Sequence, residues 1–194
     1  MSIAGLVLAA GGGTRFGGPK VLARGPDGVP WVERALAALR DGGCSALLVA
    51  VGAKRDDALQ ILSGANAAEE VTVVPVAEWA AGISASIVAA LDALAGESDV
   101  SAVVIAPVDV PSLSAAMVRR VIAAASDQPL PGALRQAVFH GRPGHPVLIG
   151  RDHWAPLHAS LSGDTGARAY LVAHGVREID CSDLGSGADV DERT

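Results

Sequence analysis

Short apolar runs rich in Val, Leu and Ile alternate along the chain with segments in which apolar residues recur at helical spacing. Each run is followed by a glycine or polar turn, a pattern typical of βαβ units in a parallel sheet. No linker, repeat or change in composition divides the sequence, so we expect one α/β domain over residues 1–194 with right-handed crossovers. The predicted strands are residues 5–9, 46–51, 71–76, 102–106, 133–138, 146–149 and 176–179, and the predicted helices are residues 32–40, 55–62, 84–95, 114–125 and 165–174.

Four residues mark the starts of predicted helices. Pro30 precedes the first helix, and the side-chain oxygens of Ser84, Ser114 and Asp164 are suited to cap the third, fourth and fifth. In sheets of this kind ligands gather at the carboxyl ends of the strands. The residues that directly follow each strand are therefore the candidates for a functional site.

The composition excludes several classes of protein. A net charge of −6 and a pI near 5.3 argue against binding a nucleic-acid backbone, which calls for a clustered basic face. Residues 3–10 are apolar but lack a basic n-region, so we interpret them as a buried strand and not as a signal peptide. No apolar run approaches the roughly 20 residues of a membrane span. Because Cys44 and Cys181 form no short-spaced pair, we expect a reducing compartment and a cytoplasmic protein without nucleic-acid or membrane partners.

The first predicted turn, residues 8–20, reads LAAGGGTRFGGPK. Glycines here let backbone amides face inward and form a nest for anionic oxygens. The Walker A motif does not fit because Pro19 separates the glycines from Lys20, and the dinucleotide fingerprint does not fit because Phe16 stands where a glycine is needed. Arg15 can instead hold phosphate oxygens in a bidentate manner, while Lys20 can follow developing charge. The alternative is a plain glycine turn with two solvated cations.

This loop resembles the signature loop of the MobA-like nucleotidyltransferases, in particular the molybdenum cofactor cytidylyltransferases, with LAAG followed by Arg, Gly and Lys at matching places. The resemblance extends along nearly the whole chain. It implies a Rossmann-like, three-layer α/β/α nucleotidyltransferase fold with a mostly parallel sheet, a triphosphate bound by the loop, and Mg²⁺ as cofactor. The nucleotide-binding residues implied are Leu8, Ala9, Ala10, Gly11, Gly12, Gly13, Thr14, Arg15, Lys20, Gly82 and Ser84, and the implied catalytic residues are Arg15, Lys20 and Asp109.

Asp109 follows the fourth predicted strand and lies between two prolines. By itself this pattern often marks only a turn, but it resembles the family's D-x-P magnesium aspartate. Mg²⁺ is typically held by one or two carboxylates together with substrate phosphates. Asp189 and Asp191 resemble the family's D-I-D-T-P segment, which implies Asp191 as the second metal ligand, with Asp189 as the alternative. Residues 192–194 depart from that segment, so an acidic tail without a role in metal binding is the alternative.

The segment EWAAGISAS, residues 78–86, resembles the family's W-x-x-G-x-S-x-S stretch beside the nucleotide. Gly82 permits a close backbone approach, and a helix that starts at Ser84 offers amides and a positive dipole end to an anion. The alternative interpretation is an ordinary capped helix with a packed Trp79.

Two further segments resemble the acceptor side of the family. His145 belongs to a G-H-P element, and Asp164 and Arg168 belong to a G-D-x-G-A-R pattern. The resemblance implies that these three residues bind the acceptor. A turn histidine, a helix cap and a surface charge are the corresponding alternatives.

These features predict transfer of CMP from CTP to a phosphorylated acceptor, with molybdopterin as the acceptor that the resemblance implies. Ala10 stands where the guanylyltransferase branch usually carries glycine, so GTP stays open as the nucleotide. Other small phosphates stay open as acceptors, and so does a non-catalytic protein that handles the cofactor. The resemblance also implies a receiving molybdoenzyme, or its chaperone, as a protein partner.

Overall fold

The computed structural model describes residues 2–64, 71–124 and 129–191. Within these ranges seven strands form one sheet in the order β3-β2-β1-β4-β6-β5-β7. The strands β1 to β7 are Ser2–Leu8, Ala46–Val51, Val71–Pro75, Val100–Pro107, Leu134–Phe139, Arg142–Gly150 and Arg177–Asp180. The helices α1 to α6 are Trp31–Asp41, Arg55–Gly64, Ile83–Leu94, Ala115–Ala123, Trp154–Ser160 and Arg168–Ala173.

The helices cover both faces of the sheet. Along β1, Leu6 and Leu8 pack into the apolar layer that contains α3, α5 and α6, whereas Val7 packs into the layer that contains α1, α2 and α4. This alternation follows from the two-residue period of a strand. Both layers consist mainly of aliphatic side chains, because the chain is only 3% aromatic. The structure confirms the three-layer α/β/α fold with a mostly parallel sheet.

Strand β6 is antiparallel to both of its neighbours, β4 and β5, whereas the other strand pairs are parallel. A tight turn at His140 and Gly141, with φ of 51° and 75°, joins β5 to β6. Two central residues with positive φ match the right-handed twist of a hairpin. Because Ile105 of β4 lies opposite Val147 of β6, the first residues of β6 arrive at the carboxyl end of β4.

Several predictions about local structure need correction. Residues 142–145, expected as a turn before a short strand, belong to β6. Helix α5 was not predicted, because it has only seven residues and contains Pro156, which weakens a helical pattern. The last helix is α6, much shorter than the predicted residues 165–174. Ser114 caps α4 as predicted, its Oγ accepting from the Met117 amide at 3.4 Å, while residue 125 lies outside the described residues.

The two cysteines, Cys44 and Cys181, are both free and buried. Burial raises the pKa of the Cys44 thiol to about 12, so this side chain stays protonated and packs as an apolar group. Across the described ranges, every helix is too short or too polar to cross a lipid bilayer.

Candidate active site

The carboxyl ends of β1 and β4 lie side by side at the centre of the sheet. Leu8 is paired with Pro107, and the Val108 amide donates to the Leu8 carbonyl at 3.0 Å. The glycine loop after β1 and Asp109 after β4 therefore leave the sheet at the same edge, as expected for parallel strands.

The glycine loop closes on itself through one backbone hydrogen bond. The Gly18 amide donates to the Gly13 carbonyl at 3.0 Å, and Gly13 has φ of 59°. A Cβ atom at Gly13 would lie 1.9 Å from the Gly18 oxygen, so any side chain there would collide with backbone. This position accepts only glycine without rearrangement.

Lys20 connects two carboxylates beside this loop. Its Nζ donates to Asp109 Oδ2 at 2.7 Å and to Asp191 Oδ1 at 2.9 Å. Arg15, whose side chain is 80% exposed, lies 3.6 Å from the second oxygen of Asp191. The Val190 amide donates to the Asp109 carbonyl at 2.9 Å and so fixes the C-terminal segment next to Asp109.

The charges in this cluster stabilise one another. Burial alone would lower the pKa of Lys20, but its hydrogen bonds to Asp109 and Asp191, together with the negative charges of these carboxylates, outweigh burial and raise the pKa overall. The hydrogen bond from Lys20, followed by the charges of Lys20 and Arg15, lowers the pKa of Asp191. Lys20 is therefore fully charged and Asp191 fully ionised at neutral pH.

The donor set fits a magnesium ion. Asp109 and Asp191 both contact the Lys20 ammonium, so the two carboxylates lie close enough together to share a metal next to Lys20. Among the described residues there is no group of three or more His, Cys, Asp or Glu side chains that could hold a metal ion. Two carboxylates without further protein ligands suit Mg²⁺, which fills its octahedral shell with water and substrate phosphates.

Two hollows open on either side of Asp109. The glycine-loop hollow has a volume of about 420 Å³ and the β6 hollow about 460 Å³. The two hollows adjoin, because six residues line both of them: Leu8, Ile83, Pro107, Asp109, Asp164 and Asp189. The glycine-loop hollow is also lined by Ala9, Ala10, Gly11, Gly13, Arg15, Lys20, Trp79, Gly82, Ser86, Val108 and Asp191. The remaining lining of the β6 hollow is Ile87, Ile105, Val110, Gln136, Pro143, Gly144, His145, Val147, Ile149, Thr165, Gly166, Ala167, Arg168, Leu171 and Gly187.

The N-terminus of α3 departs from the sequence-based expectation. Gly82 and not Ser84 precedes the helix, and Asp164 caps α3 instead of the last helix, its Oδ1 accepting from the Ile83 amide at 3.2 Å. The Ser84 amide donates to the Gly163 carbonyl at 3.2 Å. These amides already have acceptors, so they are not presented to a ligand anion.

Three of the predicted nucleotide-binding residues do not line either hollow: Gly12, Thr14 and Ser84. Ser84 is buried, and its hydroxyl has no hydrogen-bond partner among the described residues. Ser86, two positions further along α3, lines the glycine-loop hollow instead. The sequence signal for Ser86 was its place in the same W-x-x-G-x-S-x-S stretch.

The predicted acceptor residues His145, Asp164 and Arg168 come together in the β6 hollow. Burial lowers the pKa of His145, and the charges of Asp109 and Asp189 oppose that effect. His145 is thereby favoured as a neutral hydrogen-bonding group.

Gln136 was not anticipated from the sequence. It lines the β6 hollow, and its Nε2 donates to the Gly144 carbonyl at 3.2 Å. A lone glutamine within a strand carries no motif, so only the pairing of β5 with β6 identifies it.

The same architecture occurs in known proteins. The family model for the MobA-like NTP transferase domain matches residues 5–178. Nicotine blue oxidoreductase of Paenarthrobacter nicotinovorans is 33% identical over 97% of this chain and 92% of its own length. Rv0371c from Mycobacterium tuberculosis, solved in complex with manganese, is 26% identical with a TM-score of 0.73, covering 93% of this chain and 88% of its own.

A nucleotidyl transferase from Methanothermobacter thermautotroptrophicus superposes with a TM-score of 0.77 over 98% of this chain and 92% of its own, at 22% identity. At 22% identity, the similarity to this structure shows a shared fold only. The match of the family model over most of the chain, together with the relative of 33% identity, shows the family. This chain belongs to the MobA-like NTP transferase family.

Proposed function

We propose that this protein transfers CMP from CTP to the phosphate of a molybdopterin-type acceptor and releases pyrophosphate. The observation that carries the proposal is the position of Asp109, which accepts a hydrogen bond from Lys20, in the wall that two adjoining hollows share. The glycine-loop hollow holds the nucleotide and the β6 hollow holds the acceptor. The two reacting phosphates then meet beside Asp109.

In this reaction an oxygen of the acceptor phosphate attacks the α-phosphorus of CTP in line. The new P–O bond forms a phosphoanhydride, the bond to the β-phosphate breaks, and pyrophosphate leaves with the electron pair. A phosphate monoester is largely ionised near neutral pH, because its second pKa is about 6. The site therefore needs no strong general base, and catalysis consists of positioning and charge stabilisation.

The chain's own residues supply most of that stabilisation. The amides of the closed glycine loop and the exposed guanidinium of Arg15 are placed to hold phosphate oxygens. Lys20 provides a fixed positive charge between the loop and Asp109. Asp109 and Asp191 are the residues that would hold Mg²⁺, which supplies positive charge against phosphate oxygens when bound.

Substitution of Asp109 tests this assignment. We expect Asp109→Asn to lower the turnover number by about a hundredfold or more, comparable to the loss of one preorganised charge-stabilising group. Pyrophosphate release is the measurement, and Asp92→Asn, an exposed carboxylate outside both hollows, is the matched control. Turnover of Asp109→Asn near that of the control would remove Asp109 from the mechanism.

We infer the preference for CTP over GTP from Ala10. This residue is buried and lines the glycine-loop hollow, and its carbonyl accepts from the Ala53 amide at 3.0 Å. Its methyl group narrows the space for a purine. We expect Ala10→Gly to shift the ratio of kcat/KM from CTP towards GTP by roughly tenfold, in line with one methyl group in a pocket. A wild-type protein that prefers GTP in a competition assay would overturn the choice of CTP.

The acceptor class rests on the lining of the β6 hollow. Aliphatic side chains contribute much of it, including Ile87, Ile105, Val147, Ile149 and Leu171. This surface suits a flat heterocycle that carries a phosphate better than a sugar phosphate, whose hydroxyls need hydrogen-bond partners. A panel of pterin and sugar phosphates, assayed for CTP-dependent pyrophosphate release, separates the two classes.

A second candidate function follows from the named relative. Because the oxidoreductase is 33% identical over 97% of this chain, reduction of nicotine blue by a soluble hydride donor in the same hollows is the second candidate. In that reaction the donor transfers a hydride to the dye and a proton from water completes the reduction. Oxidation of NADH or NADPH that requires nicotine blue, without pyrophosphate release from any triphosphate, would favour this candidate over nucleotidyl transfer.

A further inference from the structure

The indole of Trp79 is unusually placed for an aromatic side chain in this protein. Trp79 is 38% exposed, whereas Trp31 and Trp154 are 8% and 6% exposed. It lies on a short 3₁₀ turn, Trp79–Ala81, that follows β3. Among the described residues that line either hollow, it is the only Phe, Tyr or Trp. A large ring exposed in a hollow offers an apolar face that a ligand can cover.

Two segments of backbone pack against Trp79. A Cβ atom at Gly52, just after β2, would lie 2.4 Å from the Cβ of Trp79, and one at Gly12 would lie 3.1 Å from the ring atom Cζ3. The same Cβ at Gly52 would lie 2.7 Å from the carbonyl oxygen of Ala10. Trp79 therefore packs where the loop after β1 meets the ends of β2 and β3, next to the residue on which the choice of base rests.

We infer that Trp79 is the stacking surface for the base of the bound nucleotide. This inference rests on the proposed binding of a nucleotide in the glycine-loop hollow and adds the residue that sets its affinity. The charged side chains of the hollow, Arg15 and Lys20, take the triphosphate, which leaves the indole as the one π surface available to the base. Stacking on an aromatic side chain favours every base, so Trp79 determines affinity while Ala10 limits size.

The experiment compares nucleotides with tripolyphosphate, a probe that carries the charge but no base. Dissociation constants are measured by calorimetry with Mg²⁺ for CTP, UTP, ATP, GTP and tripolyphosphate. We expect Trp79→Ala to raise the Kd of each nucleotide by about 5- to 100-fold and to leave tripolyphosphate within about twofold. Trp79→Phe keeps a smaller ring and restores most of the affinity. Val29→Ala, an exposed apolar side chain outside both hollows, is the matched control.

Intrinsic fluorescence gives a second readout that does not depend on turnover. Because Trp31 and Trp154 are buried, quenching of the emission by CTP reports on Trp79, and Trp79→Phe should abolish it. Equal loss of nucleotide and tripolyphosphate affinity in Trp79→Ala would show that the ring only supports the loop, and unchanged nucleotide affinity would refute stacking outright. A wild-type protein that binds no triphosphate contradicts the proposed function itself, whereas tight nucleotide binding independent of Trp79 contradicts only this inference.

Discussion

Asp164 links the two hollows, and its removal is expected to cost a measurable amount of stability. Its Oδ1 accepts from the Ile83 amide at 3.2 Å, and the preceding Gly163 carbonyl accepts from the Ser84 amide at the same distance. Loss of a side-chain cap typically destabilises a protein by about 1 kcal/mol. For a chain of this size, 1 kcal/mol lowers Tm by roughly 2–4 °C. We therefore expect Asp164→Ala to lower Tm by about that amount.

Asp164→Asn is the variant that separates the cap from the charge. The asparagine oxygen can still accept from Ile83, so at least half of the loss in Tm should be recovered. Asp92→Ala, on the same helix near its C-terminal end, is the matched control and should shift Tm by less than about 1 °C. Thermal unfolding by circular dichroism is the assay. An Asp164→Ala variant as stable as the wild type would refute the capping role.

Two further perturbations test the site. His145→Gln should flatten the pH dependence of the free energy of unfolding. Burial lowers the pKa of His145, so the folded state binds fewer protons than the unfolded state. The stability of the wild type therefore falls as pH drops below about 6.5, by at most about 1.4 kcal/mol per pH unit. Urea unfolding between pH 5 and 8 measures this, and parallel profiles for the two proteins would contradict it. Gly13→Ala should weaken CTP binding by at least tenfold, because its Cβ would lie 1.9 Å from the Gly18 oxygen. Gly17 also has a positive φ, but a Cβ atom there would meet no other atom within 4 Å, so Gly17→Ala should weaken CTP binding far less. Equal losses of affinity in the two variants would contradict the role of the clash.

The centre of the parallel part of the sheet was predictable from the sequence because β1, β2 and β4 are nearly continuous apolar runs followed by turns. Such runs are typical of strands that are buried on both faces. The direction of β6 was not predictable. It depends on the two-residue hairpin turn at His140 and Gly141, where histidine adopts a positive φ that its sequence context does not signal.

In the candidate site, too, some contacts could be predicted from the sequence and others could not. Asp109 closely follows β4 and Lys20 ends the glycine loop that follows β1, so their convergence was predictable from the rule that parallel strands end at one edge. The partner of Asp164 was not, because Ile83 lies 81 positions away in the sequence and the contact depends on how the turn before α6 packs on α3. The sequence identified Asp164 as a capping residue, but it did not identify α3 as the helix that Asp164 caps.

The structure shows how Asp191 is positioned beside Asp109, which the sequence did not indicate. The hydrogen bond from the Val190 amide to the Asp109 carbonyl holds the two carboxylates together. Residues 192–194, where the sequence departs from the family's pattern, lie outside the described residues. The carboxylate of Asp191 is thus placed by backbone pairing.

The most direct test of the central claim is pyrophosphate release from each of CTP, GTP, UTP and ATP with Mg²⁺, in the presence and absence of molybdenum-loaded molybdopterin. Nucleotidyl transfer at the junction of the two hollows predicts release with CTP that depends on the pterin and is lost in Asp109→Asn. Tight CTP binding without pyrophosphate release, or release that does not need the pterin, would contradict the proposed transfer.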